Sequence, residues 1–84
     1  MIYSLEWEKR AIQELNDLDY LISQRIVKKT NEFVNNFSFH NIKRIVGEEN
    51  KYRLRVGDYR VIFEIKDTSI RILKIGHRKN IYKN

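Results

Sequence analysis

No cysteine occurs among the 84 residues. That excludes disulfide staples and thiolate metal centres, and it suits a reducing compartment. The two histidines, His40 and His77, are isolated, and no carboxylate cluster accompanies either, so neither a metal nor any other cofactor is expected. Long apolar runs are absent as well. The opening MIYSLEWEKR meets charge by Glu6, so it is expected to be neither a signal peptide nor a membrane span, and the expectation is a cytoplasmic protein. No repeat, linker or low-complexity segment divides the chain. A single small domain over residues 1–84 is therefore expected, able to fold alone with modest stability.

Acidic residues are scarce at one end only. The net charge is +6, with 17 Lys and Arg against 11 Asp and Glu. Residues 1–50 hold seven of the cations and eight of the anions, and residues 51–84 hold ten and three, giving −1 and +7. No Asp or Glu follows Asp67. A polyanionic partner is implied for the C-terminal part, nucleic acid first, because phosphate neutralisation supplies most non-specific binding energy.

The stretch from Lys51 to Lys66, KYRLRVGDYRVIFEIK, reads as a β-hairpin. Tyr52, Leu54 and Val56 alternate with Lys51, Arg53 and Arg55, and alternation resumes after Gly57-Asp58. A two-residue turn needs φ > 0 at its first central residue, which glycine takes without strain. This predicts the pairs Val56 with Tyr59, Arg55 with Arg60, Leu54 with Val61, Arg53 with Ile62 and Lys51 with Glu64. Arg53, Arg55 and Arg60 then gather on the face opposite the core, two of them directly across the ladder from each other. Such like-charge pairs cost roughly 0.2 to 1 kcal/mol. An anion seated over the arginines accounts for them, and a solvated charged face is the alternative.

Upstream, Ile2 to Trp7 alternates as a short strand, and Trp7, Ala11, Ile12, Leu15 and Leu18 take up a helical period. Asp19 is placed to cap a second helix with apolar positions Ile22, Ile26, Val27, Phe33, Val34 and Phe37. The two helices are expected as a helical hairpin over the core face of the sheet. Asn35, Asn36, Ser38, His40 and Asn41 form a polar loop, and Ile42 to Val46 reads as a short leading strand or an irregular entry. Asp67-Thr68 makes a turn into a last strand from Ser69 to Gly76. A two-residue turn there pairs Arg71 with Glu64, but it also sends Lys74 to the core face and Leu73 outward. The fold class is thus α+β: a strand, a helical hairpin, then an antiparallel β-meander, βααβββ with an extra short strand as an option. Beyond the last strand, the basic tail HRKNIYKN places Arg78 where it can fold back over the arginine face, with Tyr82 four residues on. Tyr82 as an aromatic plug at a sheet edge is the alternative.

Y-R-x-R-x-G-D-Y-R at Tyr52 to Arg60, followed by G-H-R-x-x-x-Y at Gly76 to Tyr82, resembles the RelE toxins of the RelE/ParE toxin–antitoxin superfamily, in particular their archaeal branch. The resemblance covers nearly the whole chain. It implies a toxin that cleaves messenger RNA on the ribosome, inhibiting translation and held inactive by a cognate RelB-like antitoxin. The alternative within the same superfamily is a ParE-type gyrase inhibitor acting by protein contact alone. In the endonuclease pattern the first-strand basic positions match Arg53 and Arg55, the arginine after the turn matches Arg60, the arginine after the last strand matches Arg78, and the C-terminal tyrosine matches Tyr82.

The reaction so implied is attack of an RNA 2′-OH on the adjacent phosphate, which needs a base, an acid and positive charge around the phosphorane. Arg55, Arg60, Arg78 and Tyr82 are the expected catalytic residues; Lys51, Arg53, Arg55, Lys74 and Lys79 are the expected RNA contacts. Bacterial relatives carry lysines where Arg53 and Arg55 stand. Arginine keeps the charge and adds bidentate phosphate contacts, but it stays protonated and cannot serve as base. Tyr82 fills that role if the arginines lower its pKa from roughly 10. His77 is its rival, although next to Arg78 in extended chain it points to the opposite face. Messenger RNA and the ribosome are the expected targets, with no membrane involvement.

Overall fold

A computed structural model of the protein describes residues 3–36 and 42–81. Ser4–Trp7 forms strand β1, Lys9–Asn16 helix α1 and Tyr20–Asn36 helix α2; Ile42–Arg44, Lys51–Val56, Tyr59–Lys66 and Ser69–His77 form β2 to β5. Phe37, Ser38, His40 and Asn41 of the expected helix end and polar loop lie outside the described residues. The short leading strand is realised as β2, paired antiparallel to β3.

Trp7 closes β1 instead of opening the helix, and the Glu8 N–H continues the strand by donating to the Ile72 carbonyl at 2.9 Å. The apolar stripe of α1 is narrower than its sequence suggested. Ala11 is fully buried and Leu15 packs beside it, whereas Ile12 is 44% exposed, since adjacent helical residues lie about 100° apart. Asp19 caps α2 as expected: its Oδ2 accepts the Leu21 N–H at 3.2 Å, and its carbonyl accepts the Ser23 N–H at 2.9 Å. Ile26, Thr30 and Phe33, spaced four and three apart, form the buried stripe of α2.

The five strands are ordered β1-β5-β4-β3-β2. β1 runs parallel to β5 and every other pair is antiparallel, so the first strand closes the sheet against the last. The helices cover one sheet face. Phe63, with no exposed surface, sits at the centre of that core, its ring centroid 5.0 Å from Phe33 and 5.7 Å from Tyr52. Burying an aromatic ring between two others is a large contribution to a core this small.

Each predicted pair of the hairpin is observed, from Val56 with Tyr59 to Lys51 with Glu64. Gly57 takes φ +59 and Asp58 does not share the positive range, the pattern of a glycine-first II′ turn. The last strand differs from a regular ladder. Glu64 does pair with Arg71, but a β-bulge follows: Phe63 faces Ile72 and Ile62 faces Lys74, leaving Leu73 as the extra residue. The expectation that Lys74 faces the core is thereby corrected. One inserted residue keeps Ile70, Ile72 and Ile75 all buried while Lys74 turns outward, and it removes the cost of an ammonium inside an apolar layer.

Past the bulge, β5 extends beyond β1 and would have an open edge. Glu14 of α1 fills it, its Oε1 accepting the Ile75 N–H at 2.9 Å. After β5 the chain turns sharply, with Asn80 and Ile81 N–H both donating to the His77 carbonyl at 2.8 and 2.9 Å. Ile81 is buried and lies over Gly76, where a Cβ would stand 3.0 Å from Ile81 Cδ1. Through Ile81 the chain therefore turns back onto the sheet face away from the helices.

Candidate nucleic-acid interface

Three successive rungs of the outer face differ in electrical character. The third from the hairpin tip reads Lys51, Glu64, Arg71, Glu6 across β3, β4, β5 and β1. Signs alternate, and Arg71 reaches Glu6 and Glu8 at 3.6 and 3.5 Å. The pairing of Arg71 with Glu64 expected from the sequence is thus a register neighbour, while the ion pairs go to the other side. Lys51 is held by Glu48 at 3.5 Å.

The next rung reads Lys43, Arg53, Ile62, Lys74, and the one at the tip reads Arg55, Arg60, Gly76. Neither contains an acid. Five cations face the same side over two adjacent rungs, and the Lys43–Arg53 and Arg55–Arg60 pairs are each directly opposite, an arrangement that costs stability in both cases. Ile62, 3% exposed, is buried on this outer side. It floors a hollow of about 410 Å³ together with Leu73 and Ile45, rimmed by Arg10, Lys51 and Lys74.

A second cleft, of about 510 Å³, lies at the hairpin tip and is lined by Arg25, Lys29, Arg55, Gly57, Asp58, Arg60 and Arg78. It brings together three of the expected catalytic residues. Arg60 turns its Nη1 back to the Gly57 and Tyr59 carbonyls at 2.9 and 3.0 Å, which stiffens the turn while keeping the guanidinium at the cleft. Arg78 is anchored through its backbone N–H to the Asp58 carbonyl at 2.7 Å, and its Nε lies 3.5 Å from Asp58 Oδ1. Among the described residues Asp58 is the one carboxylate lining this cleft, and it sits beside Arg78.

Of the other expected residues, Arg53 is half-buried on the middle rung next to the cleft. Lys51 and Lys74 border the second hollow instead, and Lys79 sits on the exposed turn after β5, its N–H bound to His77 Nδ1 at 3.1 Å. His77 packs edge-on against Tyr59 at 5.4 Å, and Arg78 after it lies in the turn that follows β5 and not in extended chain. Tyr82 lies outside the described residues. Among the described residues no three His, Cys, Asp or Glu side chains converge as a metal site, and no helix is long and apolar enough to cross a membrane.

Sequence reasoning missed Arg25, Lys29 and Asp58. Counting charge by chain halves assigned the first two to the acidic half. The signal available was their four-residue spacing on α2, which puts both on one helical side.

The profile of the family described as "ParE toxin of type II toxin-antitoxin system, parDE" matches residues 5–82. The toxin RelE3 of Methanocaldococcus jannaschii is 35% identical over 78 residues, spanning 88% of this chain and 89% of that protein. Among solved structures, the toxin in the RelB–RelE antitoxin–toxin complex from Methanococcus jannaschii superposes with a TM-score of 0.77 at 32% identity, over 92% of this chain and 94% of that one. The archaeal RelE–RelB complex from Pyrococcus horikoshii gives 0.78 at 25% identity, over 95% and 99%. The isolated Escherichia coli RelE toxin shares the fold, at TM-score 0.76 and 19% identity, over 89% and 83%. The chain belongs to the RelE/ParE superfamily of type II toxin–antitoxin toxins, in its archaeal RelE branch.

Proposed function

We propose that this toxin is a ribosome-dependent messenger RNA endonuclease. The observation that carries the reading is the pair of acid-free rungs ending in the arginine cleft, an arrangement that stability alone disfavours and a phosphodiester backbone satisfies. In this reading the RNA 2′-oxygen attacks the adjacent phosphorus, the bond to the 5′-oxygen breaks, and the products are a 2′,3′-cyclic phosphate and a 5′-OH. Arg55, Arg60 and Arg78 hold the phosphorane oxygens through charge-assisted hydrogen bonds. Arg78 contacts and stabilises the leaving oxygen, which takes its proton from water to become the 5′-OH, and Tyr82 takes the 2′-proton. Arg53 and the lysines at 51, 74 and 79 hold the flanking backbone.

Relatives of this chain are held in complexes with RelB antitoxins. A RelB-like partner for this toxin follows, acidic enough to cover the same cationic rungs and folding as it binds. The test is primer extension on a reporter mRNA in a purified translation system, with and without ribosomes. Cuts that need ribosomes and vanish with Arg78→Ala are expected. Intact mRNA under both conditions, with DNA cleavage complexes accumulating on gyrase, would overturn this reading in favour of a ParE-type inhibitor, the second reading that the match to the ParE profile keeps open.

A further inference from the structure

Resting on the reading of the tip cleft as an RNA site, we infer that Arg25 of α2 forms a second phosphate subsite. The RNA backbone is thereby led over the hairpin tip from the sheet face toward the helix, to a phosphate next to the one at Arg78. Three observations support this. The Arg25 guanidinium lies against Gly57: Nη1, Cζ and Nη2 stand 3.3, 3.5 and 3.6 Å from where a Cβ would be. Near-equal distances mean that the planar group lies face-on to the turn, at the wall of the cleft that Arg25 helps to line. Secondly, Arg25 has no hydrogen-bond or ion-pair partner among the described residues, while it shares the cleft with Lys29, Arg55, Arg60 and Arg78. Asp58, the one carboxylate lining the cleft among the described residues, is engaged by Arg78. Thirdly, Lys29 one turn along pairs with Glu32 at 3.5 Å, so charge on this side of the helix is balanced at 29 and left unbalanced at 25. An exposed cation held flat among like charges is satisfied by an anion, and in this cleft the anion is a nucleic-acid phosphate.

The absence of a side chain at Gly57 now has two causes. One is the positive φ of the turn; the other is room for the guanidinium. Lysine, a flexible point charge, would supply charge at position 25 but could not stack on the turn in the same way.

The phosphate could belong to the messenger or to ribosomal RNA beside it, and two arms separate these. The full chain is titrated by fluorescence anisotropy against a single-stranded, fully 2′-O-methylated oligonucleotide of about a dozen nucleotides, a length on the scale of single-strand binding sites. It is titrated separately against purified vacant ribosomes, both over a potassium chloride series. Arg25→Ala is expected to weaken binding roughly fivefold at low salt, the scale of one exposed ion contact, and to flatten the plot of log affinity against log salt by about 0.7. Arg25→Lys is expected to restore the slope. A flattened slope with the oligonucleotide puts the phosphate on the messenger, and one with ribosomes alone puts it on ribosomal RNA. An unchanged slope in both arms overturns the subsite. Messenger cleavage by wild type and Arg25→Ala, measured in parallel, keeps the two readings apart. Intact cleavage by both proteins with an unchanged slope removes Arg25 alone, while no cleavage by the wild type with a slope flattened by Arg25→Ala removes the endonuclease and leaves the subsite.

Discussion

Replacing Asp58 by Asn should make this toxin bind RNA more tightly at almost no cost in stability. The Arg78–Asp58 pair has its nitrogen and oxygen 3.5 Å apart, with the two side chains 56% and 68% exposed. At that separation Coulomb's law gives about 1 kcal/mol in water and several times more inside a protein. With more than half of each side chain in solvent, the screened net value is about 0 to 1 kcal/mol. The change to amide removes the charge and little else, since the backbone bond from Arg78 N–H to the Asp58 carbonyl does not involve the side chain. An incoming phosphate then no longer has to displace the carboxylate. Up to about 1 kcal/mol returns to binding, an affinity gain of as much as roughly fivefold at low salt. Removing any acid raises affinity for a polyanion somewhat, so Glu49→Gln, an exposed acid that does not line the tip cleft, is the control. Urea unfolding should give the same m-value and a midpoint shifted by no more than about 1 M. Oligonucleotide anisotropy should place Asp58→Asn tighter than Glu49→Gln. Equal affinities for the two variants, or a loss for Asp58→Asn, would refute the argument that Asp58 stands in for substrate.

Thr30 is fully buried on α2, and its Oγ1 has no hydrogen-bond partner among the described residues; Thr30→Val should therefore stabilise by about 1 to 2 kcal/mol, read as a higher urea midpoint. Glu14→Ala should expose the Ile75 amide, costing about 1 to 2 kcal/mol and speeding hydrogen exchange at that one N–H well beyond its β5 neighbours. Gly57→Ala places a Cβ at φ +59 and 3.3 Å from Arg25, so about 1 to 2 kcal/mol of stability should be lost, with weaker RNA binding alongside it in the same titration.

The hairpin was legible because its information is local. Gly57 fixes the turn, the period of two fixes the faces, and a one-residue slip would expose every core side chain at once. The same logic placed Asp19 as a cap, since capping joins residues two apart. It failed at Leu73, where the conflict between Lys74 and a buried position was visible but its resolution by a bulge was not; a bulge is chosen by the packing of Ile72 and Ile75 against residues far away in the chain. The parallel seat of β1 beside β5 was likewise out of reach, because no turn connects the two strands. At the site, Arg53, Arg55, Arg60 and Arg78 could be named from the sequence. The helix contribution could not, since the four-residue spacing of Arg25 and Lys29 puts both on one side of α2 but how α2 is angled over the turn is set by packing far away in the chain.

The parallel pairing of β1 with β5 also bears on when the toxin becomes dangerous to the cell making it. Ser4 meets Ser69 across 65 positions of sequence, and β5 lies inside the sheet with β1 on one side and β4 on the other. During translation the first strand emerges long before its partner and has nothing to join. The hairpin can form early, but Arg78 gains its anchor on Asp58 only after β5 has been laid down. Long-range closure of this kind is slow compared with hairpin formation. The cleft that gathers Arg55, Arg60 and Arg78 is thus among the last parts of the molecule to form, and a binding partner present during synthesis meets the hairpin before it meets the finished cleft.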